Sequence, residues 1–519
     1  RPRGPRLAYP DGMANAVTAF LDDTIGGGAG DRPAIVTPAG ATSYRQLLAL
    51  TARAGTALRD LGVEPEQRVA LLLPDGVEWT AVFFGTLRIG AVAVPLNTRL
   101  APADWATMLR DSRARVLVVD AALLAELRPA LTELPHLRAV IATGDGATSL
   151  QALLDAAAPE CAAEPVSGDD MAFWLYTSGT TGGPKAAIHL HRDLLACRHY
   201  AIDVLEASEQ DRVFATSKLF FAYALGNALL IPLYLGASTY LDAAWPEPAS
   251  VQHVLQTYAP TVFFSVPTFY GRLLRADLPA DAFRSVRACV SAGERLPAEL
   301  YRAWRERFGV EILDGLGSTE TIFMVLANRP GRSRPGSAGT PVPGTEVRLL
   351  DSEGRPVTDG EPGVLHLRTP SASPGYWNRL DLSRRAFVGE WFRTGDVMTR
   401  DADGFYHHAG RDDEMFKVAG MWVAPADVEG ALLAHPAVAD AGVVGAPAEG
   451  GLFKPVAFVV ARPTGEEPEA LVDALAAHVA GKLPSHQIPR RIRVVEELPR
   501  TVTGKLQRYV LREWAERTL

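Results

Sequence analysis

The chain has 519 residues, 47% apolar and 22% charged, so it can bury a large core without disulfides or a structural metal. Length alone sets roughly two to four domains at about 150 residues each. The net charge is −8, from 52 Lys+Arg against 60 Asp+Glu with no basic block, which argues against a nucleic-acid groove, since that needs a cationic surface to displace counterions.

Short β-branched runs alternate with helical stretches from the N-terminal side. Arg68–Leu73 reads as a strand, Glu78–Ile89 as a helix and Ala93–Leu96 as a strand; strand Val116–Asp120, helix Ala121–Leu134 and strand Ala139–Thr143 follow. The pattern resumes with strand Thr261–Val266, helix Thr268–Leu274, strand Val286–Ser291, helix Ala298–Phe308 and strand Glu311–Leu313, where Tyr301, Trp304 and Phe308 recur on one helical face. Such alternation predicts parallel α/β sheets covered by helices, with ligands outside the carboxyl ends of the strands. From about 334 to 403 Gly and Pro are dense, helices vanish, and short strands such as Glu346–Leu350 and Gly363–Leu367 remain, which predicts an antiparallel β region. The last ~100 residues carry their own strands and the helices Pro425–Ala434 and Glu469–Lys482, enough for a small domain.

Cys161, Cys197 and Cys289 are odd in number and far apart, so they read as buried small hydrophobes in a reducing compartment. No apolar run reaches the ~18 residues needed to span a bilayer; the longest, around Ala228–Leu235, is broken by Pro232. No apolar stretch follows the basic Arg1–Pro5, so a signal peptide is not expected and a cytoplasmic enzyme is.

The sharpest local feature is Tyr176-Thr-Ser-Gly-Thr-Thr-Gly-Gly-Pro-Lys185, directly after the apolar Met171–Leu175. Its glycines permit close backbone approach, its hydroxyls and N–H groups can donate to phosphate oxygens, and Lys185 adds a charge. It is not a Walker A loop, because the Gly-Lys-Ser/Thr ending is missing and Pro184 blocks an immediate helix. Neither His189 with His191 nor His407 with His408 has the carboxylate or Cys company of a zinc site, and Ser178 lacks a nucleophile elbow.

The 176–185 segment resembles the signature loop of the acyl-adenylate-forming superfamily of acyl-CoA synthetases, adenylation domains and luciferases, with Ala186 where that family usually has Gly. The likeness extends along nearly the whole chain. Thr42-Ser-Tyr-Arg-Gln-Leu47 and the 87–95 segment match structural motifs. Ser291-Ala-Gly-Glu294, Asp314-Gly-Leu-Gly-Ser-Thr-Glu320, Trp391-Phe-Arg-Thr-Gly-Asp-Val397, Gly410-Arg-Asp-Asp-Glu-Met-Phe-Lys417 and Leu498-Pro-Arg-Thr-Val-Thr-Gly-Lys505 follow in the family's order.

The resemblance implies a large N-terminal domain of parallel α/β sheets plus a small antiparallel β region, residues 1–411, and a small mobile α+β C-terminal domain, residues 412–519. It also implies residue roles. Thr177, Ser178, Gly179, Thr180, Thr181, Gly182 and Lys185 would hold the ATP phosphates; Gly293, Glu294, Asp314 and Gly315 would border the adenine. Thr319 would meet the α-phosphate, and Glu320, a hard oxygen ligand, would hold Mg2+. Asp396 would accept from the ribose hydroxyls, since a carboxylate only accepts, and Arg411 would contact ribose or phosphate. Lys505 would be the catalytic lysine, offsetting the repulsion between a carboxylate and the α-phosphate it attacks. Asp413 would be the hinge, with Lys417, Gly420 and Trp422 bordering the pantetheine channel.

Lys218-Leu-Phe-Phe-Ala-Tyr-Ala-Leu-Gly-Asn227 and Lys417-Val-Ala-Gly-Met-Trp-Val423 are similar to benzoate-type aryl-CoA ligases in particular. On that pattern Phe221 is an aromatic gate, and Ala222, Tyr223, Gly317, Phe323 and Met324 line an acyl pocket suited to a planar ring. Phe323 stands where the pattern has a polar His, and Ala222-Tyr223 replaces the Asp that would pair an amino acid's ammonium. The expected reaction is activation of an aryl acid as acyl-AMP at the expense of ATP, with Mg2+, and transfer to CoA. The competing readings are loading of a carrier-protein pantetheine and an inactive nucleotide sensor. No nucleic-acid or membrane partner is expected.

Overall fold

The computed structural model describes residues 15–144, 149–177, 183–418, 421–447, 453–462, 468–500 and 506–517. Two large sheets form the body of the first four hundred residues. One runs Ala139–Ala142, Val116–Val119, Arg68–Leu72, Val92–Pro95, Met171–Thr177, Lys185–Leu190, parallel except for the last pair. In the other, strands Pro33–Thr37, Ser238–Tyr240, Arg212–Ala215, Val262–Ser265, Ala288–Ser291 and Ile312–Gly317 are parallel neighbours. Antiparallel Gly40–Ser43 and Met324–Ala327 flank them. The inner strands are buried on both faces, and that is why they read as continuous Val/Ile/Leu runs rather than alternating ones.

Helices Tyr44–Asp60 and Val77–Arg88 join the two sheets in one core. Ser43 starts the first: its hydroxyl accepts from Gln46 N–H while the Gln46 side chain accepts from Ser43 N–H, a reciprocal capping box. The Thr42–Leu47 and 87–95 motifs are therefore structural. The helices touch backbone to backbone at Gly85, where an added Cβ would lie 2.7 Å from the Ala54 methyl.

Strands Glu346–Leu350, Gly363–Arg368, Trp391–Arg400, Phe387–Val388 and Tyr406–Arg411 make the antiparallel sheet expected from the Gly/Pro-rich texture. That region is not free of helix, however. Leu380–Ala386 is helical, with no buried residue and hence no apolar stripe to betray it. The expected helix Ala121–Leu134 is shorter than its pattern: the α-turns end at Leu127 and a 3-10 segment, Arg128–Glu133, carries Pro129 in its first turn.

After Arg411 the chain builds a separate core. The hairpin Phe416–Val418/Met421–Val423, helices Pro425–Leu433 and Pro468–Ala480, and the sheet Val438–Pro447, Phe453–Ala461, Arg491–Val495 pack on one another. Among the described residues no helix is long and apolar enough to cross a membrane, and all three cysteines are buried and free.

Candidate active site

The glycine- and hydroxyl-rich loop joins two antiparallel strands. Met171–Thr177 pairs with Lys185–Leu190 in a register that sets Thr177 opposite Lys185, so strand rather than helix follows Pro184. Ser178, Gly179, Thr180, Thr181 and Gly182 lie outside the described residues. Lys185 reaches out of this hairpin to Glu320: Nζ is 3.5 Å from Oε1. The Tyr376 hydroxyl joins both, accepting from Lys185 Nζ at 2.9 Å and donating to Glu320 Oε1 at 2.7 Å. Glu320 is only 8% exposed, and burial pushes its carboxyl up. Lys185 and the Tyr376 hydroxyl more than offset that, holding it below the usual carboxylate range.

Glu320 sits in a tight turn that leaves the carboxyl end of strand Ile312–Gly317. Thr321 N–H and Ile322 N–H both donate to the Ser318 carbonyl, and Phe323 N–H donates to that of Thr321. Ile322 is held at φ 58°, a left-handed conformation costly for a β-branched residue. Outside contacts support this strain. His189 Nε2 lies 2.8 Å from the Thr319 carbonyl, Ser373 N–H donates to Glu320 O, and the Ser371 hydroxyl donates to Thr321 O.

Asp396 and Arg411 face each other across adjacent strands, 3.2 Å apart at Oδ1 and Nη1, and Arg411 also donates to the Thr394 carbonyl. His408 Nε2 is 3.4 Å from the same Asp396 oxygen. Burial raises the Asp396 carboxyl, but His408 and Arg411 pull it below its ordinary value, so it stays an acceptor.

Both histidine pairs thus have the carboxylate company that the sequence did not reveal. His408 meets Asp396, His407 Nε2 is 3.0 Å from Asp401 Oδ2, and His189 Nδ1 is 3.4 Å from Asp193 Oδ2. These are positioning contacts: among the described residues no group of three or more His, Cys, Asp or Glu could hold a metal.

The residues expected beside the adenine have internal partners. The Glu294 carboxylate accepts from the Thr268 hydroxyl at 2.7 Å, and Gly293 adopts φ 89°. The Asp314 carbonyl accepts from Asn328 N–H and Nδ2, and its carboxyl is enclosed, with Oδ1 unpartnered among the described residues. At Gly315 a Cβ would be 2.8 Å from the Leu326 carbonyl.

Of the residues expected around the acyl group, Ala222, Phe323 and Met324 lie in one core and Tyr223 packs against it. After Phe221 the chain runs through Ala222–Ala224 and a π-helical turn, Leu225–Leu230, which turns Gly226 toward Phe323: a Cβ there would meet the Phe323 ring at 3.0 Å. Phe323 and Met324 are 2% and 3% exposed, and the missing side chain of Gly317 admits the Phe323 carbonyl. The Tyr223 hydroxyl lies 3.0 Å from both the Ser265 and the Val290 carbonyl, so its polar end is turned into the backbone of those strands. Just before Phe221 in the chain, Leu219 N–H donates to Asp75 at 3.1 Å, and Asp75 lies 4.0 Å from Lys218, whose ammonium donates to the Asp242 and Ala244 carbonyls.

At the seam with the last hundred residues, Arg411 Nε is 3.5 Å from Asp413 Oδ1, and Arg512 donates to the Asp413 carbonyl at 3.0 Å. Lys417 stands 4.6 Å over the exposed Trp422 ring. Gly420 and Lys505 lie outside the described residues.

Two parallel α/β sheets bearing the Lys185–Tyr376–Glu320 group, an antiparallel sheet bearing Asp396 and Arg411, and a separately cored C-terminal unit make the architecture of an adenylate-forming ligase. Residues 23–377 match the family model of AMP-binding enzymes, and residues 427–505 that of the AMP-binding enzyme C-terminal domain. The chain belongs to the AMP-binding enzyme family. It is 43% identical to a benzoate–CoA ligase of Thauera aromatica, over 98% of this chain and 97% of the relative. Among solved structures it resembles an anthranilate CoA ligase in complex with anthranoyl-AMP, at TM-score 0.90 and 39% identity over 98% of both chains. A benzoate CoA ligase from Burkholderia xenovorans LB400 gives TM-score 0.87 and 41% identity, covering 96% of this chain and 100% of that one.

Proposed function

We propose that this chain is an AMP-forming aryl-CoA ligase: it activates benzoate or a small substituted benzoate as acyl-AMP, releases pyrophosphate, and transfers the acyl group to CoA. The observation that carries the reading is the full-length likeness to benzoate–CoA ligases, joined to the packing of Ala222, Phe323 and Met324 in one buried core with Tyr223 against it. The same relatives favour CoA over a carrier-protein arm or a sensor role. ATP, Mg2+ and CoA are the co-substrates and cofactor. We take the cytoplasm, which supplies ATP and CoA, as the site of action.

In this reading Lys185 and the Thr177–Gly182 loop hold the phosphates, Asp396 and Arg411 hold the ribose, and Gly293, Glu294, Asp314 and Gly315 border the adenine. Glu320 fits a Mg2+ site: one buried, ionised carboxylate is the protein share expected when substrate phosphates supply other ligands. The ion would neutralise charge on the departing pyrophosphate. Thr319, fixed by His189, faces the α-phosphate, and Lys505 stabilises charge as the carboxylate attacks. Phe221, Ala222, Tyr223, Gly317, Phe323 and Met324 enclose the ring. Residues 1–411 and 412–519 act as two bodies that turn about Asp413, bringing Lys417, Gly420 and Trp422 to the pantetheine.

A pyrophosphate-release panel tests the assignment. Benzoate or a hydroxy-, amino- or halobenzoate should exceed hexanoate and octanoate in kcat/KM by at least about tenfold, or ~1.4 kcal/mol of transition-state binding. The physical reason is that aromatic contacts add roughly 0.5–1.5 kcal/mol each beyond area burial, while a flexible tail loses rotor entropy. A fatty acid outperforming every aryl acid would overturn the substrate and leave adenylation intact.

A further inference from the structure

We infer that Tyr376 is a positioning residue for nucleotide-bound metal: its hydroxyl fixes the Glu320 carboxylate and holds Lys185 against it until the metal–nucleotide enters. This rests on the reading of Glu320 as the Mg2+ ligand. The donor and acceptor roles at this junction have one consistent assignment. A carboxylate only accepts and an ammonium only donates, so the single phenolic hydrogen goes to Glu320 Oε1, 2.7 Å away, and the oxygen lone pair takes Lys185 Nζ–H at 2.9 Å. With Oε1 held, the carboxylate keeps one orientation.

The hydroxyl is held by more than its own partners. The Gly375–Trp377 segment runs antiparallel beside Lys185–Leu190: Ala187 and Tyr376 form an isolated bridge pair, Ile188 N–H donates to Gly375 O, and Trp377 N–H donates to Ala186 O. Trp377 stacks on Trp174 at 4.5 Å, and its indole N–H donates to the Asp111 carbonyl. Tyr376 N–H donates to the Ser383 hydroxyl, and its ring meets Phe387 edge-on at 5.5 Å. The sheet edge that carries Lys185 therefore also sets where the phenol stands, while Glu320 arrives from the strained turn on the other sheet.

Lys185 sits 4.1 Å above the Tyr376 ring and 3.5 Å from Glu320 Oε1, so its ammonium supplies the positive charge beside a buried carboxylate. Lys185 would yield that place to a bound metal–nucleotide and turn to the phosphates, with Tyr376 keeping Glu320 aimed. Groups that orient a metal ligand from behind typically carry about 10- to 100-fold in metal affinity.

The test uses Tyr376→Phe in the full chain, which removes only the hydroxyl and keeps the ring on Phe387. Mn2+ binding to the enzyme with α,β-methylene-ATP, followed by electron paramagnetic resonance, should weaken about tenfold or more. The Mg2+ concentration for half-maximal pyrophosphate release should rise in step, with the KM of the aryl acid held. Glu320→Gln, measured alongside, separates the two failures. If Glu320→Gln weakens Mn2+ binding and Tyr376→Phe does not, the inference is overturned and the metal reading stands. If neither variant changes Mn2+ affinity, Glu320 is not the metal ligand and both fall.

Discussion

Asp314 carries an acid inside the main body of the fold at the price of pH-dependent stability. Burial pushes its carboxyl up to about 8; Ser291 and the N–H groups of Leu296 and Gly315 offset this only in part. In the unfolded chain the same group titrates near ~3.9. Between those two values the folded protein keeps a proton that the unfolded chain gives up, so stability falls as pH rises from about 4 to about 8, by at most ~1.4 kcal/mol per unit. Asp314→Asn removes that dependence. The thermal midpoint of the variant relative to wild type should therefore climb steadily between pH 5 and pH 8. A difference that stays flat over that range would show that Asp314 is ionised in the folded state. Burial acts the same way on Asp75, whose carboxyl is pushed up to about 6 despite Lys218, so the slope left in the variant should steepen toward the acid end of the window.

At the scale of elements, one arginine ties the C-terminal unit together. Arg508, on helix Arg508–Glu516, donates to Glu414 beside Asp413 and to Glu429 on helix Pro425–Leu433, at 2.9 and 3.1 Å. Glu429 in turn accepts from Val443 N–H, so a strand is drawn into the same junction. All three charged side chains are at most 20% exposed. Removing one partner of a buried ion pair leaves uncompensated charge and typically costs about 3–5 kcal/mol. Arg508→Met should lower the stability of the C-terminal unit by about 3 kcal/mol, seen as an earlier urea transition and faster proteolysis after residue 411 in the intact chain. Adding Glu429→Gln should recover part of it. A loss below about 1 kcal/mol would mean that water screens the junction.

Separate hydrophobic cores form before and after Arg411. Asp413 spans the seam: its carboxylate faces Arg411 on the antiparallel sheet, and its carbonyl is held by Arg512 on the last helix. Rotation about this point would break one contact set and make another, as hinges that absorb large backbone changes do. Asp413→Pro fixes φ near −65°. Acyl-AMP formation should survive in this variant while thioester formation collapses; Lys505→Ala should give the converse, losing adenylation by roughly 10²–10³ while synthetic acyl-AMP and CoA still yield thioester. Equal loss of both half-reactions in either variant would refute the two-body scheme, and a matching loss of ATP affinity in Asp413→Pro would place that residue in the nucleotide site.

Local periodicity was enough to read most of the framework. Helix Ala298–Phe308 and strand Glu346–Leu350 run where the pattern places them, because apolar spacing along a few turns or residues is a property of the segment itself. The order of the motifs and the identity of their residues were equally legible, and with them the family and the chemistry. Helix Leu380–Ala386 was not, since an element that buries nothing has no stripe. Nor were the partners that orient the site. Tyr376 lies 56 residues from Glu320 and 191 from Lys185, and His189 lies 130 from Thr319. His408 and Asp396 meet only because two strands pair in a particular register. Contacts between distant segments leave no periodic trace along the chain. They follow from how the two sheets stack and where their edges meet, and that was decided by the tertiary structure alone.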